Sequence, residues 1–575
     1  MITEVRIEYF KKFAAQEFKL GDHVVLAGPN NSGKSTLLQA LAVWGLCLQR
    51  WVSERTSGES KASRRTGIPL SRKDFTSIPL REMNLLWTDR DTAYGKEEKP
   101  GVEAGDHKLI GITVSGKERT GEEWCLVLKL RYQSREQVYV NFMDVSGNPA
   151  TEIPSSAKSL QIVHIPPFSG IGAEETRYDR GYQNLLVGQG KPGDILRNLL
   201  WEVYRRSKED WELLTNVIRQ LFNCEIVEPN YTEADPFIVI EYRIAGGRTR
   251  RNLDLASGGS GFHQVLTLLG FIYARPASVL LVDEPDAHEH VILQRQVYDS
   301  LRKVAKDRDC QLIVSTHSEV ILEDTAPDQI TSFYGQPHPL NIDSHRDQVR
   351  EALRRLSSLD VLEVESGKNV LYLEDESDFK ILSEFARIME HPIRCFFDNP
   401  FVCFIHGHDI REAKAHLFAL RAIRPDVKGV LLLDGDNRSL PDHEIGADQL
   451  MVLRWKRYEI ENYLIHPKVL YRFIEGPHLD LFSASRKNIA EEFLTSRLSP
   501  DAIRNPLGDD DYLVSIPASK NLLPQLLERV TVQISKKDYF QIAAKMTGDE
   551  IHPEVTEKLD LMVEVFCPKD EVNNA

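Results

Sequence analysis

The 575-residue chain contains no run approaching the about 18 apolar residues that cross a bilayer, so no membrane span is expected. Its opening Met1-Ile2-Thr3-Glu4-Val5-Arg6 lacks the apolar stretch of a signal peptide, and secretion is not expected either. Cysteine is scarce and scattered (Cys47, Cys125, Cys224, Cys310, Cys395, Cys403, Cys567), with no CxxC pair. Neither a disulfide framework nor a zinc ribbon is indicated, and a reducing cytoplasm is the expected setting. Excess positive charge is missing too, since 71 Lys and Arg face 86 Asp and Glu for a net charge of −15. That argues against coating nucleic acid by bulk charge and leaves a local basic groove open. There is no internal repeat, no low-complexity segment and no sustained heptad pattern. What remains, 42% hydrophobic and 27% charged, is ordinary globular composition in a chain too long for one core.

Residues 28–35 read Gly28-Pro29-Asn30-Asn31-Ser32-Gly33-Lys34-Ser35, between the apolar run His23–Ala27 and the helical run Thr36–Leu41. A loop that wraps backbone N–H groups around a polyphosphate needs glycine wherever a Cβ would block approach. Gly28, Asn31, Gly33 and Thr36 would line such a cradle. Lys34 would put a point charge on the β- and γ-phosphates, and Ser35 a hydroxyl on Mg²⁺. ATP or GTP is the expected ligand.

Three later segments say how the nucleotide is used. Val279–Val282 is an apolar strand ending in Asp283-Glu284, where Asp283 would hold Mg²⁺ and Glu284 would polarise the attacking water. Leu255-Ala256-Ser257-Gly258-Gly259-Ser260-Gly261 precedes an apolar helix, so that Ser257, Gly259 and the helix N-terminus make an anion site. Gln311–Thr316 is a strand leading to His317. In this order the segments resemble ABC-type ATPases, including their SMC-like branch. The resemblance implies that Ser257 caps a nucleotide bound by another protomer, so a homodimer or larger assembly is expected. It also makes His317 the sensor of the γ-phosphate and Asp286-Ala287-His288-Glu289-His290 a dimer-contacting loop. A Q-loop glutamine has two candidates, Gln161 and Gln183. About 220 residues separate Ser35 from Ser257 with no heptads among them, so the long coiled coil of an SMC strut is not expected.

A second chemistry follows. Val370–Leu373 is a strand ending in Glu374, and Val430–Leu433 is another ending in Asp434-Gly435-Asp436. Between them lie a strand at Phe401–Ile405, a turn at Gly407 and a helix at Ile410–Arg421. Carboxylates at the ends of neighbouring parallel strands suit a hard cation and phosphodiester chemistry. The constellation resembles the TOPRIM fold, which implies that Glu374, Asp434 and Asp436 hold Mg²⁺ or Mn²⁺. Asp375 stands where that family usually has glycine. Downstream, Arg454-Trp455-Lys456-Arg457-Tyr458-Glu459-Ile460-Glu461 reads either as a solvated amphipathic helix or as an addition to the site, through Lys456, Glu459 and Glu461.

An ABC-like ATPase followed by TOPRIM resembles the OLD (overcoming lysogenization defect) nucleases, with them the Gabija nuclease subunit, and also fused PARIS-type defence proteins. The resemblance implies an ATP-regulated, metal-dependent nuclease of bacterial anti-phage defence. Its target is DNA by preference, with RNA such as tRNA as the alternative, and a defence-system partner protein is implied. The rival is an ATPase sensor or scaffold whose TOPRIM domain only binds a partner. The expected fold is α/β throughout: an ATPase domain over 1–345 with a loop-rich, solvated insertion at 50–106, a connector over 346–368, TOPRIM over 369–475 and a helical region over 476–575. Arg64-Arg65 and Arg72-Lys73 in the insertion are a candidate nucleic-acid contact.

Overall fold

The computed structural model describes residues 1–56, 67–76, 78–95, 103, 105–118, 121–150, 152–232, 234–245, 251–287, 291–405, 410–436, 443–445, 449–476 and 483–567. Arg64-Arg65, Gly407 and His288–His290 lie outside these residues. The chain divides into two compact units, Met1–Leu353 and Arg354–Ala575. The division falls within the expected connector, inside the helix Asp343–Arg355.

Two sheets build the first unit. The phosphate-loop sheet runs in the order His338–Pro339, Ile330–Ser332, His23–Ala27, Gln311–Thr316, Val279–Asp283, Ile162–Ile165, parallel except for the His338–Pro339 edge. These strands are apolar on both faces, as expected of a parallel sheet covered on both sides. Val279, Leu281 and Ile313 enter one core with the helix Lys34–Thr56, while Leu280, Val282, Leu312 and Val314 enter the other with the helices Leu196–Arg206 and Ser260–Ala274. The register sets Asp283 beside Ser315 and Thr316 beside Ala27, so the chemistry-bearing strand ends lie level.

The second sheet is antiparallel, with Ile110–Lys117, Glu123–Ser134 and Gln137–Met143 forming a meander beside the Ile2–Phe10 and Phe13–Lys19 hairpin. The expected solvated insertion is corrected where it is described. Helix Lys34–Thr56 runs into it, Ile68–Ser71 adds an edge strand, and Trp51, Phe75, Ile78, Met83, Leu86 and Trp87 are core. Arg72 is tied to Glu136 at 3.0 Å.

The second unit holds a five-stranded sheet in the order Val402–Phe404, Val370–Leu373, Gly429–Leu433, Leu450–Arg454, His443–Ile445, with only the last edge antiparallel. The helices that follow share a single core with it. Leu371, Val430 and Leu453 pack in one cluster with Phe493, Leu526, Val555 and Met562. Cys395 and Cys567, 172 residues apart, stand paired as a disulfide, a single bridge where the sequence indicates no disulfide framework.

Candidate functional site

The phosphate loop has the backbone its sequence requires. Asn31 and Gly33 take positive φ, 59° and 112°, and a Cβ on Gly28 would lie 2.7 Å from that of Phe333. Lys34 is 4% exposed, and its ammonium donates to the loop carbonyls of Gly28 and Pro29, both at 2.8 Å. Burial lowers its pKa to about 8, while Glu284, Asp283 and Asp286 act to keep it charged. The Ser35 hydroxyl donates to Asp283 Oδ1 at 3.0 Å, and Ser315 Oγ donates to the same oxygen. Thr36 continues the helix that the loop opens.

Glu284 sits just past its strand with φ of 52°, its N–H on Ser315 Oγ at 3.2 Å. Its carboxylate faces His317 Nε2 at 3.1 Å, and that contact holds its pKa below the ordinary glutamate value despite partial burial. Lysine, hydroxyl, two carboxylates and histidine are thus gathered along the carboxyl ends of three adjacent strands, an arrangement able to bind a nucleotide phosphate and orient water. Cradle and donor set both fit a magnesium-bound nucleoside triphosphate.

Ser257 ends a short 3₁₀ turn, exposed, its hydroxyl donating to Asp254 O at 2.7 Å, and Gly259 caps the helix Ser260–Ala274. Neither glutamine candidate reaches the strand ends. Gln161 lies at the amino end of Ile162–Ile165, and Gln183 is buried against Glu202, Tyr178 and Arg275. Gln264, which sequence reasoning missed, is buried with Nε2 on Pro285 O at 2.9 Å and so joins the Ser257 helix to the Glu284 turn. Its signal was an amide beside His263 and Thr267 in an otherwise largely apolar helix.

In the second unit Glu374 and Asp434 follow the adjacent strands Val370–Leu373 and Gly429–Leu433. Asp375 caps the next helix with an extended backbone, φ −149°, which any residue adopts, and accepts from Ser377 N at 2.6 Å. A glycine is therefore not required there. Gly435 is required, because an added Cβ would collide with the carbonyls of Trp455 and Arg457. Asp436 beyond it is exposed.

Burial, followed by Asp378, Glu374, Glu461 and Glu459, drives the Asp434 pKa well above the ordinary aspartate value. Asp378 is pushed up to about 7 by burial and then Asp375, and Glu461 to about 8 by burial and then Glu459 and Asp378. Lys536 answers this crowd, 3.1 Å from Asp375 and 3.3 Å from Glu461. Burial opposes its charge, yet Glu461, Asp375 and Asp378 raise its pKa above the ordinary lysine value. The all-carboxylate donor set fits a hard divalent cation in its chemistry. Among the described residues, as placed, no three Asp, Glu, His or Cys converge closely enough to share one ion.

The 454–461 segment is corrected on one count. It is a buried strand end and 3₁₀ turn in place of a solvated helix. Glu461 joins the acidic cluster, Glu459 is spent on Ser519 N and Oγ, and the Lys456 side chain is exposed. Asp378 and Lys536 are the residues sequence reasoning missed. Asp378, four past Glu374 in the first turn of a helix, was legible by spacing, whereas Lys536, 161 residues from Asp375, carried no local signal.

Residues 194–322 match the family model described as an AAA ATPase domain, a span holding Ser257, Asp283, Glu284 and His317 but not the phosphate loop. No curated protein matches the chain in sequence. Among solved structures, the SMC head domain from Thermotoga maritima is 15% identical, with 59% of this chain and 99% of that one covered and a TM-score of 0.34. An SMC head bound to the C-winged helix domain of ScpA is also 15% identical, with 58% and 94% covered and a TM-score of 0.36. An SMC head with an extended coiled coil, bound to the C-terminal domain of ScpA derived from Pyrococcus furiosus, is 16% identical, with 58% and 92% covered and a TM-score of 0.33. No helix among the described residues is long and apolar enough to cross a membrane. Over residues 194–322 the first unit is similar to an AAA ATPase domain.

Proposed function

We propose that the chain is an ATP-controlled, Mg²⁺-dependent nuclease of the OLD/TOPRIM type, acting in bacterial anti-phage defence as a homodimer or larger assembly. The observation that carries this reading is the carboxylate crowd at two adjacent strand tips, where half-buried Glu374 and Asp434 stand with buried Asp378 and Glu461. Carboxylates placed so at two adjacent strand tips oppose folding unless a cation offsets them, so their presence points to a use for one. Glu374 and Asp434 would hold the ion, with Asp378, Asp436 and Glu461 beside them. When bound, Mg²⁺ or Mn²⁺ would supply Lewis-acid charge for hydrolysis of a phosphodiester. Lys536 brings a fixed positive charge to the same place, suited to a phosphate oxygen. In the first unit Lys34 and Ser35 would bind ATP with Asp283, Glu284 would orient water, and Ser257 of one protomer would complete the site of another.

The rival reading, an ATP-driven sensor or scaffold, is favoured by a specific observation: the described carboxylates do not converge on one point. One experiment separates the two. Glu374→Ala or Asp434→Ala should abolish cleavage of plasmid, linear DNA or RNA in Mg²⁺ or Mn²⁺, and any phage protection, while ATP turnover stays near the parental rate. EDTA should reproduce the loss of cleavage. Continued protection by both variants would replace the nuclease with the scaffold.

A further inference from the structure

We infer that the ATPase unit carries a separate binding platform for unpaired nucleobases, built from Arg177, Tyr231, Trp201 and Arg205. Trp201 and Arg205 stand one turn apart on the helix Leu196–Arg206, and Tyr231 comes from the short strand Asn230–Thr232. The Trp201 and Tyr231 rings lie 5.6 Å apart. The Arg177 guanidinium sits 5.4 Å from the Tyr231 ring, and that of Arg205 sits 5.8 Å from the Trp201 ring. Four planar groups thus follow one another as cation, ring, ring, cation; Arg177, Trp201 and Arg205 line a cavity of about 510 Å³ together with Asp179 and Glu202, and Tyr231 packs beside Trp201 outside that lining.

The charge state of these arginines sets them apart from their neighbours. Arg180 faces Glu202 at 3.6 Å, and Arg206 is held by Asp210 at 3.2 Å and by Ala274 O at 3.1 Å. Arg177 and Arg205 are exposed, and among the described residues neither has a carboxylate partner. In a chain of net charge −15, two such guanidinium groups laid on aromatic faces call for a counter-charge from outside. Stacking orients each guanidinium and leaves its N–H fork open to phosphate oxygens, while the half-buried Trp201 and Tyr231 rings, packed against the core on one side, keep only part of their surface for a base. A duplex hides its base faces, so the ligand of this chemistry is a single strand. The inference concerns the first unit and stands whether or not the second unit cuts nucleic acid.

Photo-crosslinking tests it on the full-length protein, using a single-stranded DNA oligonucleotide that carries 5-iodouracil, with adducts mapped by mass spectrometry. The expected result is an adduct on Trp201 or Tyr231 that unlabelled single strand competes away and duplex or AMP does not. In the Arg177→Glu/Arg205→Glu variant, with its circular dichroism and ATP binding retained, the yield at these residues should fall by about tenfold or more. If that variant does not fold, Arg177→Gln/Arg205→Gln takes its place, with a smaller loss in the same direction. Adducts confined to the second unit, unchanged yield in a folded variant, or competition by AMP equal to that by the strand would each overturn the inference.

Discussion

Lys34 shows how a buried cation is kept ready for a ligand. Burial lowers its pKa, nearby Asp283, Glu284 and Asp286 oppose that, and two loop carbonyls occupy its protons. Lys34→Ala should weaken ATP binding by about 2–4 kcal/mol in calorimetry, because phosphate charge is left without its partner. Glu284→Gln should bind normally and turn over about 10²–10³-fold more slowly, since the group that orients water loses its charge. Parental turnover in that variant would remove Glu284 from the mechanism. His552 gives a pH dependence of known sign. Its Nδ1 accepts the Glu554 N–H at 3.1 Å at the start of helix Pro553–Phe566, and burial followed by Arg457 lowers its pKa to about 4. The folded protein then binds fewer protons than the unfolded chain between about pH 4 and the ordinary histidine value of about 6.5. This contribution is whole above that window and is lost as pH falls through it. His552→Asn keeps a cap and should flatten the fall in melting temperature between pH 7 and 4.5. An identical pH profile in the variant would refute the assignment.

Among the elements, strand tips and tight crossings matter most. The Asp434-Gly435-Asp436 turn is pinned by the Gly435 N–H on Tyr458 O at 2.9 Å and leaves no room for a side chain against the Trp455 and Arg457 carbonyls. Gly435→Ala should cost about 1–3 kcal/mol or more, because backbone on both sides must move. Gly548→Ala, with open space around it, is the control and should be near neutral in denaturant melts. Elements were read from sequence where periodicity was strong. The parallel strands and the 110–143 meander appear as apolar runs and alternation. The 67–95 stretch was misread because its polar surface hides single buried anchors such as Trp87, whose indole N–H bonds Lys108 O. The solvated-helix reading of the 454–461 segment fails because its charged groups find buried partners far along the chain, as when the Arg457 guanidinium donates to Pro506 O and Gly508 O.

For the whole molecule, the Ser257 turn is exposed, and the proposed shared site is tested there. If it completes a site on a second copy, light scattering should show self-association that grows with ATP in the Glu284→Gln protein. Ser257→Arg should then lower turnover at least about tenfold while leaving ATP affinity unchanged, a loss of transition-state contacts alone. A strictly monomeric protein with full turnover would contradict the shared site.

What the sequence determined by itself is what is local in the chain. The phosphate loop, the acidic strand ends and the Ser257 turn each draw on fewer than about ten consecutive residues whose spacing dictates their geometry. The tertiary structure alone decided what depends on residues far apart. It set Asp283 beside Ser315, 32 residues on, gave Gln183 to Arg275, and brought Lys536 to Asp375 across 161 residues. It also joined the C-terminal helices to the second sheet in one core. Such pairings are chosen by the burial of whole faces and by charge in a low-dielectric interior. Both act through space, and neither leaves a trace in the order of neighbouring residues.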